Sequence, residues 1–405
     1  MYRLAFARLA VVVLVLASFS PTAAQSQSPY PPLEGSSAAL LDLLRFVPDV
    51  PAREELSATQ FFTYGDYRAA EQGRPAVFAP QNFAQLRDQD DGVPWAMAAP
   101  LGGIQLSYLF SGGGDMPDVM GFDFFSVDRS LEWGLPPEQG ILLQGDFDAA
   151  SIDAALTSNG FARDSFDDLP LWCGEEVGCD GGTRIDPRDR QVANLFGGDL
   201  GRRWPTILMD DVLFASASFR HTALMVGAGA GIAPSLADNA AMYTALEAAN
   251  LPNTLLRAAW AFDSGVAAME PIGPLEAEIT PYPVVLFADL VDAEAQYAVV
   301  ALSFEDAALA ESAVEVVVSR LETADSMRVR QRWADLIAER GAALQTPQVF
   351  TSETTGYAAA VFTFRYPLPS DEPGDDGRYP MSGQMYNLLL QAAFARDLVW
   401  LAVVP

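Results

Sequence analysis

No lysine occurs in this 405-residue chain, histidine occurs once, at His221, and cysteine occurs twice, at Cys173 and Cys179. Without lysine there is no Schiff-base chemistry, no phosphate-loop lysine and no kinase-type lysine. A single histidine rules out multi-histidine metal centres, and it serves as a general base only if a partner and a cleft stand beside it. No Asn-x-Ser/Thr triplet is present, so N-glycosylation is not expected. What remains for polar chemistry is carboxylates, arginines, hydroxyls and the two cysteines.

Basic residues are also few. Asp and Glu number 53 against 24 Arg, a formal charge of −29. A surface this acidic repels nucleic acid and anionic membranes, so neither is expected as a partner. The acids are spread through a chain that is 50% hydrophobic, which is a globular and not a disordered composition. The acidity fits solubility outside the cell or a high-salt habitat, and the sequence leaves that choice open.

The N-terminus reads as a secretory signal: Arg3 and Arg8, an apolar run from Leu9 to Phe19, then the small residues of Pro21-Thr22-Ala23-Ala24. The run is shorter than the roughly 20 residues that span a bilayer as a helix, so cleavage after Ala24 is expected rather than anchoring. No later stretch reaches spanning length free of charge; Val284 to Leu302 is interrupted by Asp289, Asp292 and Glu294. An extracytoplasmic protein with no membrane span after cleavage is the expectation. In such a chain Cys173 and Cys179, with five residues between them, are most simply a structural disulfide, since redox motifs favour two intervening residues and no further ligands stand nearby for zinc.

Organisation follows from punctuation. Residues 1–24 form the signal and 25–35 a flexible leader rich in Pro, Ser and Gln; 36–270 and 271–405 are assigned to an N-terminal and a C-terminal α+β domain. A short helix is predicted over Ala38–Arg45, and strands over Thr59–Tyr64, Gly103–Phe110, Gly140–Phe147 and, in two pieces turned at Asp210-Asp211, Pro205–Ala217. Asp148 caps a helix from Ala149, and Ser235-Leu236-Ala237-Asp238 is a capping box before a helix over Asn239–Ala249. In the second half a hairpin is predicted from Tyr282–Leu290 and Gln296–Phe304. Helices follow over Asp306–Thr323, Ser326–Ala342 and Gln384–Ala395, with strands at Gln348–Ser352, Tyr357–Tyr366 and Asp397–Val404. Ser370 to Gly377 reads as an exposed loop. Strand, acidic cap and Ala-Ala helix start recur at Phe147-Asp148-Ala149-Ala150 and Phe304-Glu305-Asp306-Ala307-Ala308. Duplication of one unit and two turns obeying one capping rule both explain this. The fold class expected is α+β: two lobes of antiparallel or mixed sheet with packed helices, with ferredoxin-like repeats as the pattern suggested.

The Gln144-Gly145-Asp146-Phe147-Asp148 run, the Asp210-Asp211-Val212-Leu213 strand and the Ser235–Asp238 box resemble exported bacterial proteins of unknown function with repeated β-α-β modules. The resemblance spans Gly140 to Ala249. It implies an extracytoplasmic module and carries over no catalytic residue.

Candidate sites are weighed on chemistry. Gly227-Ala228-Gly229-Ala230-Gly231 lacks the spacing of a dinucleotide loop and reads as a turn between helices. Asp88-Gln89-Asp90-Asp91-Gly92 opens like a calcium loop, but Ala99 stands where the bidentate Glu belongs. Asp180, Asp186 and Asp189 are a looser calcium set, so metal binding stays open. His221 reads as a helix-start or surface residue. Glycosidases need two carboxylates and stacking aromatics, which directs attention to Glu132-Trp133 and to Glu175-Glu176 near Trp172. No catalytic or cofactor-binding residue is assigned and no cofactor is expected. The reading favoured is a non-enzymatic binding or surface-associated module for an unidentified protein or surface ligand; the alternative is a carboxylate-dependent glycan hydrolase.

Overall fold

The computed structural model describes residues 28–49, 62–73, 85, 99–100, 102, 113–135, 138–262, 278–370, 372 and 380–403. The expected signal, residues 25–27 of the leader, the strand expected at Gly103–Phe110, the Asp88–Gly92 loop and most of the 370–377 loop lie outside them. So does the 263–277 stretch in which the domain boundary was placed.

Thirteen antiparallel strands form one sheet among the described residues. In chain order the elements are α1 (Ala38–Leu44), β1 (Phe62–Asp66), α2 (Tyr67–Gly73), α3 (Met116–Met120), β2 (Val127–Leu135), β3 (Glu138–Gly145) and α4 (Ala149–Ser158). Next come β4 (Phe161–Phe166), β5 (Leu169–Gly174), β6 (Thr206–Met209), β7 (Val212–Ser216), α5 (Phe219–Gly229), α6 (Ala240–Ala248) and β8 (Leu255–Phe262). The second half supplies β9 (Val285–Val291), β10 (Ala295–Phe304), α7 (Ala307–Thr323), α8 (Trp333–Glu339), β11 (Ala343–Leu344), β12 (Gln348–Thr351), β13 (Ala358–Pro367) and α9 (Gln384–Phe394). The fold is α+β.

The strand order β11-β13-β10-β9-β8-β1-β2-β3-β7-β6-β5-β4, with β12 also on β13, reads alike in both directions from the β8·β1 ladder. On each side a first strand pairs with a hairpin, β9–β10 or β2–β3. The chain then leaves through a helix, α7 or α4, and returns to pair with the hairpin's outer strand through β13 or β7. The helix starts use the expected caps: Asp148 accepts from the amides of Ala150 and Ser151, and Asp306 from that of Leu309.

One face of the sheet carries Phe62, Tyr64, Leu131, Trp133, Leu142 and Phe214, continues through Ala259, Leu286 and Val299, and is covered by α1, α5 and α6. The opposite face carries two separate clusters. Trp260, Phe287, Val300 and Phe362 lie beneath α7, α8 and α9, whereas Ile141, Leu143, Leu213 and Trp172 lie beneath α3 and α4.

Three local readings are corrected. Residues 326–332 are a loop, and α8 begins only at Trp333, because the Asp397 carboxylate accepts from the Ser326 hydroxyl at 2.5 Å, the Met327 amide at 2.6 Å and the Arg328 amide at 3.3 Å. Residues 397–403 are not a strand: Val399–Leu401 is a 3-10 turn, and side chains take the carbonyls a ladder would have used, Arg320 Nη1 donating to Ala402 O at 2.7 Å and Tyr282 Oη to Leu401 O at 3.2 Å. Gly227 and Gly229 are inside α5, and the turn follows them. Gly229 is there for proximity, since a Cβ would stand 2.6 Å from the Phe46 ring.

Candidate functional site

Antiparallel register sets directly opposed side chains on one face, so a row can be followed from strand to strand. Through the two-cluster face it runs Phe362, Val300, Phe287, Trp260, Thr63, Glu132, Ile141, Ala215, Thr206, Trp172. Eight of these ten are buried. Only the central pair, Thr63 and Glu132, reaches solvent. Burial along the row is therefore broken at the midline of the sheet, between the clusters under the two sets of helices.

Glu132 is the one ionisable residue within that row. Protein surrounds its carboxyl closely enough that burial alone pushes it up to about 7, while an edge of the side chain remains accessible. The carboxyl is thus desolvated although the residue is not fully buried. No hydrogen bond or ion pair joins it to another described residue. Its same-face neighbours on the sheet are Thr63, Ile141, Ser130 and Gly134, with Gly65, Gln139 and Leu143 on the diagonals; none is charged.

The two sides are unequal. Beyond Thr63 stands Trp260, stacked on Phe287 at 5.7 Å and on Phe394 at 5.1 Å with an 18° interplanar angle. Phe394, the last residue of α9, is 67% exposed. Behind Glu132 lies Ile141. At one end the backbone of Gly102 rests on Gly65, whose missing side chain makes room for it: a Cβ there would stand 2.4 Å from Gly102 O.

The other candidates are placed elsewhere. Trp133 points to the opposite face, buried, its ring meeting His221 edge-on at 5.8 Å. His221 is buried, correcting the surface reading; its Nδ1 lies 2.9 Å from the Oγ of Ser218, the residue that caps α5. Trp172 is buried and donates its indole N–H to Asp153 at 2.8 Å, while Glu175 and Glu176 are exposed in the loop closed by the Cys173–Cys179 disulfide. Asp186 accepts from the Arg188 amide and Asp189 pairs with Arg203 at 3.0 Å. Among the described residues no group of three or more His, Cys, Asp or Glu side chains is placed to hold a metal ion.

Sequence reasoning missed Thr63, Trp260 and Phe394, and it missed two ion pairs, one half-buried and one fully buried. Arg129 Nε donates to Asp66 Oδ2 at 2.7 Å, and Arg257 Nη2 to Asp289 Oδ2 at 2.7 Å. The pairs did leave a signal: Arg257 and Asp289 are single charges inside the otherwise apolar runs of β8 and β9.

No family model and no curated protein matches the chain. Two solved structures titled as crystal forms of TP0453 align with it at a TM-score of 0.34. Form III is 8% identical and covers 79% of this chain and 92% of its own; form I is 7% identical and covers 86% and 96%.

Proposed function

We propose that the chain is a non-enzymatic, extracytoplasmic binding or surface-associated module whose contact point is the midline break in burial at Thr63 and Glu132. The carrying observation is Glu132 itself, a desolvated carboxyl on a residue that is not fully buried, with no acidic neighbour among the described residues of the sheet. Hydrolysis of a glycan uses two carboxylates acting across one bond, and a lone acid favours recognition over that chemistry. The Cys173–Cys179 disulfide and the lack, among the described residues, of any helix long and apolar enough to cross a membrane are compatible with an extracytoplasmic site of action.

Two measurements on the mature chain test this reading. The first is thermal unfolding against a panel of small molecules, compared with Glu132→Ala; the second is reducing-sugar release from polysaccharides. Upward shifts in Tm that vanish in the variant support binding at that contact point. Sugar release abolished by Glu132→Gln would replace the reading with the hydrolase. N-terminal sequencing of the exported protein should find Gln25 first.

A further inference from the structure

Anions set deep in this fold are answered. Asp66 is held by Arg129, Asp289 by Arg257, and Asp397 by the Ser326 hydroxyl and two backbone amides. This is the expected rule, because an ionised carboxyl removed from water without a partner costs several kcal/mol. Glu132 breaks it: no described cation or donor reaches its carboxyl, and the residue is not fully buried.

We propose that Glu132 is the counter-ion for an organic cation with an apolar body, its charged end seated on the carboxylate and its body lying across Thr63 toward Trp260 and Phe394. The inference rests on the binding reading and names its ligand class. Charge complementarity decides for a cation. An anion would meet both the carboxylate and a chain of net charge −29, whereas a cation is drawn in by the same field. A neutral molecule would leave Glu132 unanswered whenever it ionises. A metal ion needs more oxygen ligands than one carboxylate supplies.

The aromatic wall fits the other end. Neighbouring strands are about 4.8 Å apart, so Trp260 stands about 10 Å from Glu132 across the small Thr63. Gly134, next on the same face of β2, raises no side chain in the way. Phe394 stacks on Trp260 and leaves most of its surface to solvent, an exposed aromatic that a ligand body would cover and that can also attract a cation through its ring face.

The test uses the full mature chain and three probes of equal chain length: octyltrimethylammonium, octan-1-ol and octanoate, titrated by calorimetry at pH 8. Octyltrimethylammonium should bind at least about tenfold more tightly than the other two. Glu132→Gln should remove that preference while leaving the response to octanol unchanged, and Phe394→Ala should weaken octyltrimethylammonium and octanol together. Near-UV circular dichroism of each variant confirms that it is folded. Equal or tighter binding of octanol or octanoate overturns the cation assignment and leaves the binding reading standing. Unchanged octyltrimethylammonium affinity in Glu132→Gln overturns it as well. No response to any of the three overturns it too, while the binding reading is decided by its own thermal panel.

Discussion

Arg257 and Asp289 meet at two points inside the sheet: the single nitrogen Nη2 donates to Oδ1 at 2.9 Å and to Oδ2 at 2.7 Å, with each side chain only 2% exposed. The same nitrogen donates to Gln296 Oε1, which also accepts the amide of Gly383 at the start of α9, and Tyr366 donates to Asp289. The pair thus ties β8, β9, β10, β13 and the last helix together.

Removing one partner strands the other in an apolar interior. Arg257→Met should cost about 3–5 kcal/mol. The double variant Arg257→Met/Asp289→Leu should recover most of that, because no buried charge is left. Denaturant unfolding of the two proteins reads the difference, and a single variant within about 1 kcal/mol of the parent would contradict the account.

Glu132 makes stability depend on pH. Its carboxyl stands at about 7 in the folded chain against an ordinary value of 4.5. The folded state therefore keeps a proton that the unfolded state has already released. Stability falls as pH rises from about 4.5 to about 7 and then levels, a loss of up to about 3 kcal/mol. Glu132→Gln should remove that slope, raising Tm at pH 8 and leaving it nearly unchanged at pH 4.

The Asp397 clasp sets the path of residues 326–332. Asp397→Ala leaves the Ser326 hydroxyl and the Met327 and Arg328 amides without their acceptor, at a cost of roughly 2–3 kcal/mol. Hydrogen exchange at Met327 and Arg328 should accelerate first; unchanged protection there would show that the loop holds its shape without the clasp.

Reduction of the disulfide should be mild. The ring from Cys173 to Cys179 is short, so opening it returns about 2 kcal/mol of chain entropy to the unfolded state. Cys173→Ser/Cys179→Ser should lower Tm by a few degrees without loss of the sheet, as followed by far-UV circular dichroism.

Local chemistry was legible in the sequence wherever it acts over a few residues. The hairpin of β9 and β10, the turn at Asp210-Asp211, and the caps at Asp148 and Asp306 are all built as their residues suggest. Ser235-Asp238 does form its box, though it closes a 3-10 turn and Asn239 caps the helix that follows. Distant partners were not legible. Asp397 unwinds a stretch that its own sequence presents as helix; Arg320 and Tyr282 take the carbonyls that would have made 397–403 a strand. Glu132 was singled out, but beside Trp133 and for sugar stacking. Alternation along β2 sends those two to opposite faces, so its neighbours are those that register supplies, Thr63 and Ile141. Nothing in the sequence announces that β1 and β8 pair, and the midline break in burial depends on that ladder.

That ladder also governs what truncation would do. β8 donates and accepts along β1 on one side and along β9 on the other. A fragment ending at Phe262 would turn an internal strand of eight mostly buried residues into a bare edge, with unpaired amides and carbonyls beside Leu256, Trp260 and Phe262. Such an edge is a template for any passing strand. Proteolysis after Phe262 would therefore yield a sticky, self-associating product, and the second half of the chain acts toward the first as the shield that keeps it from aggregating.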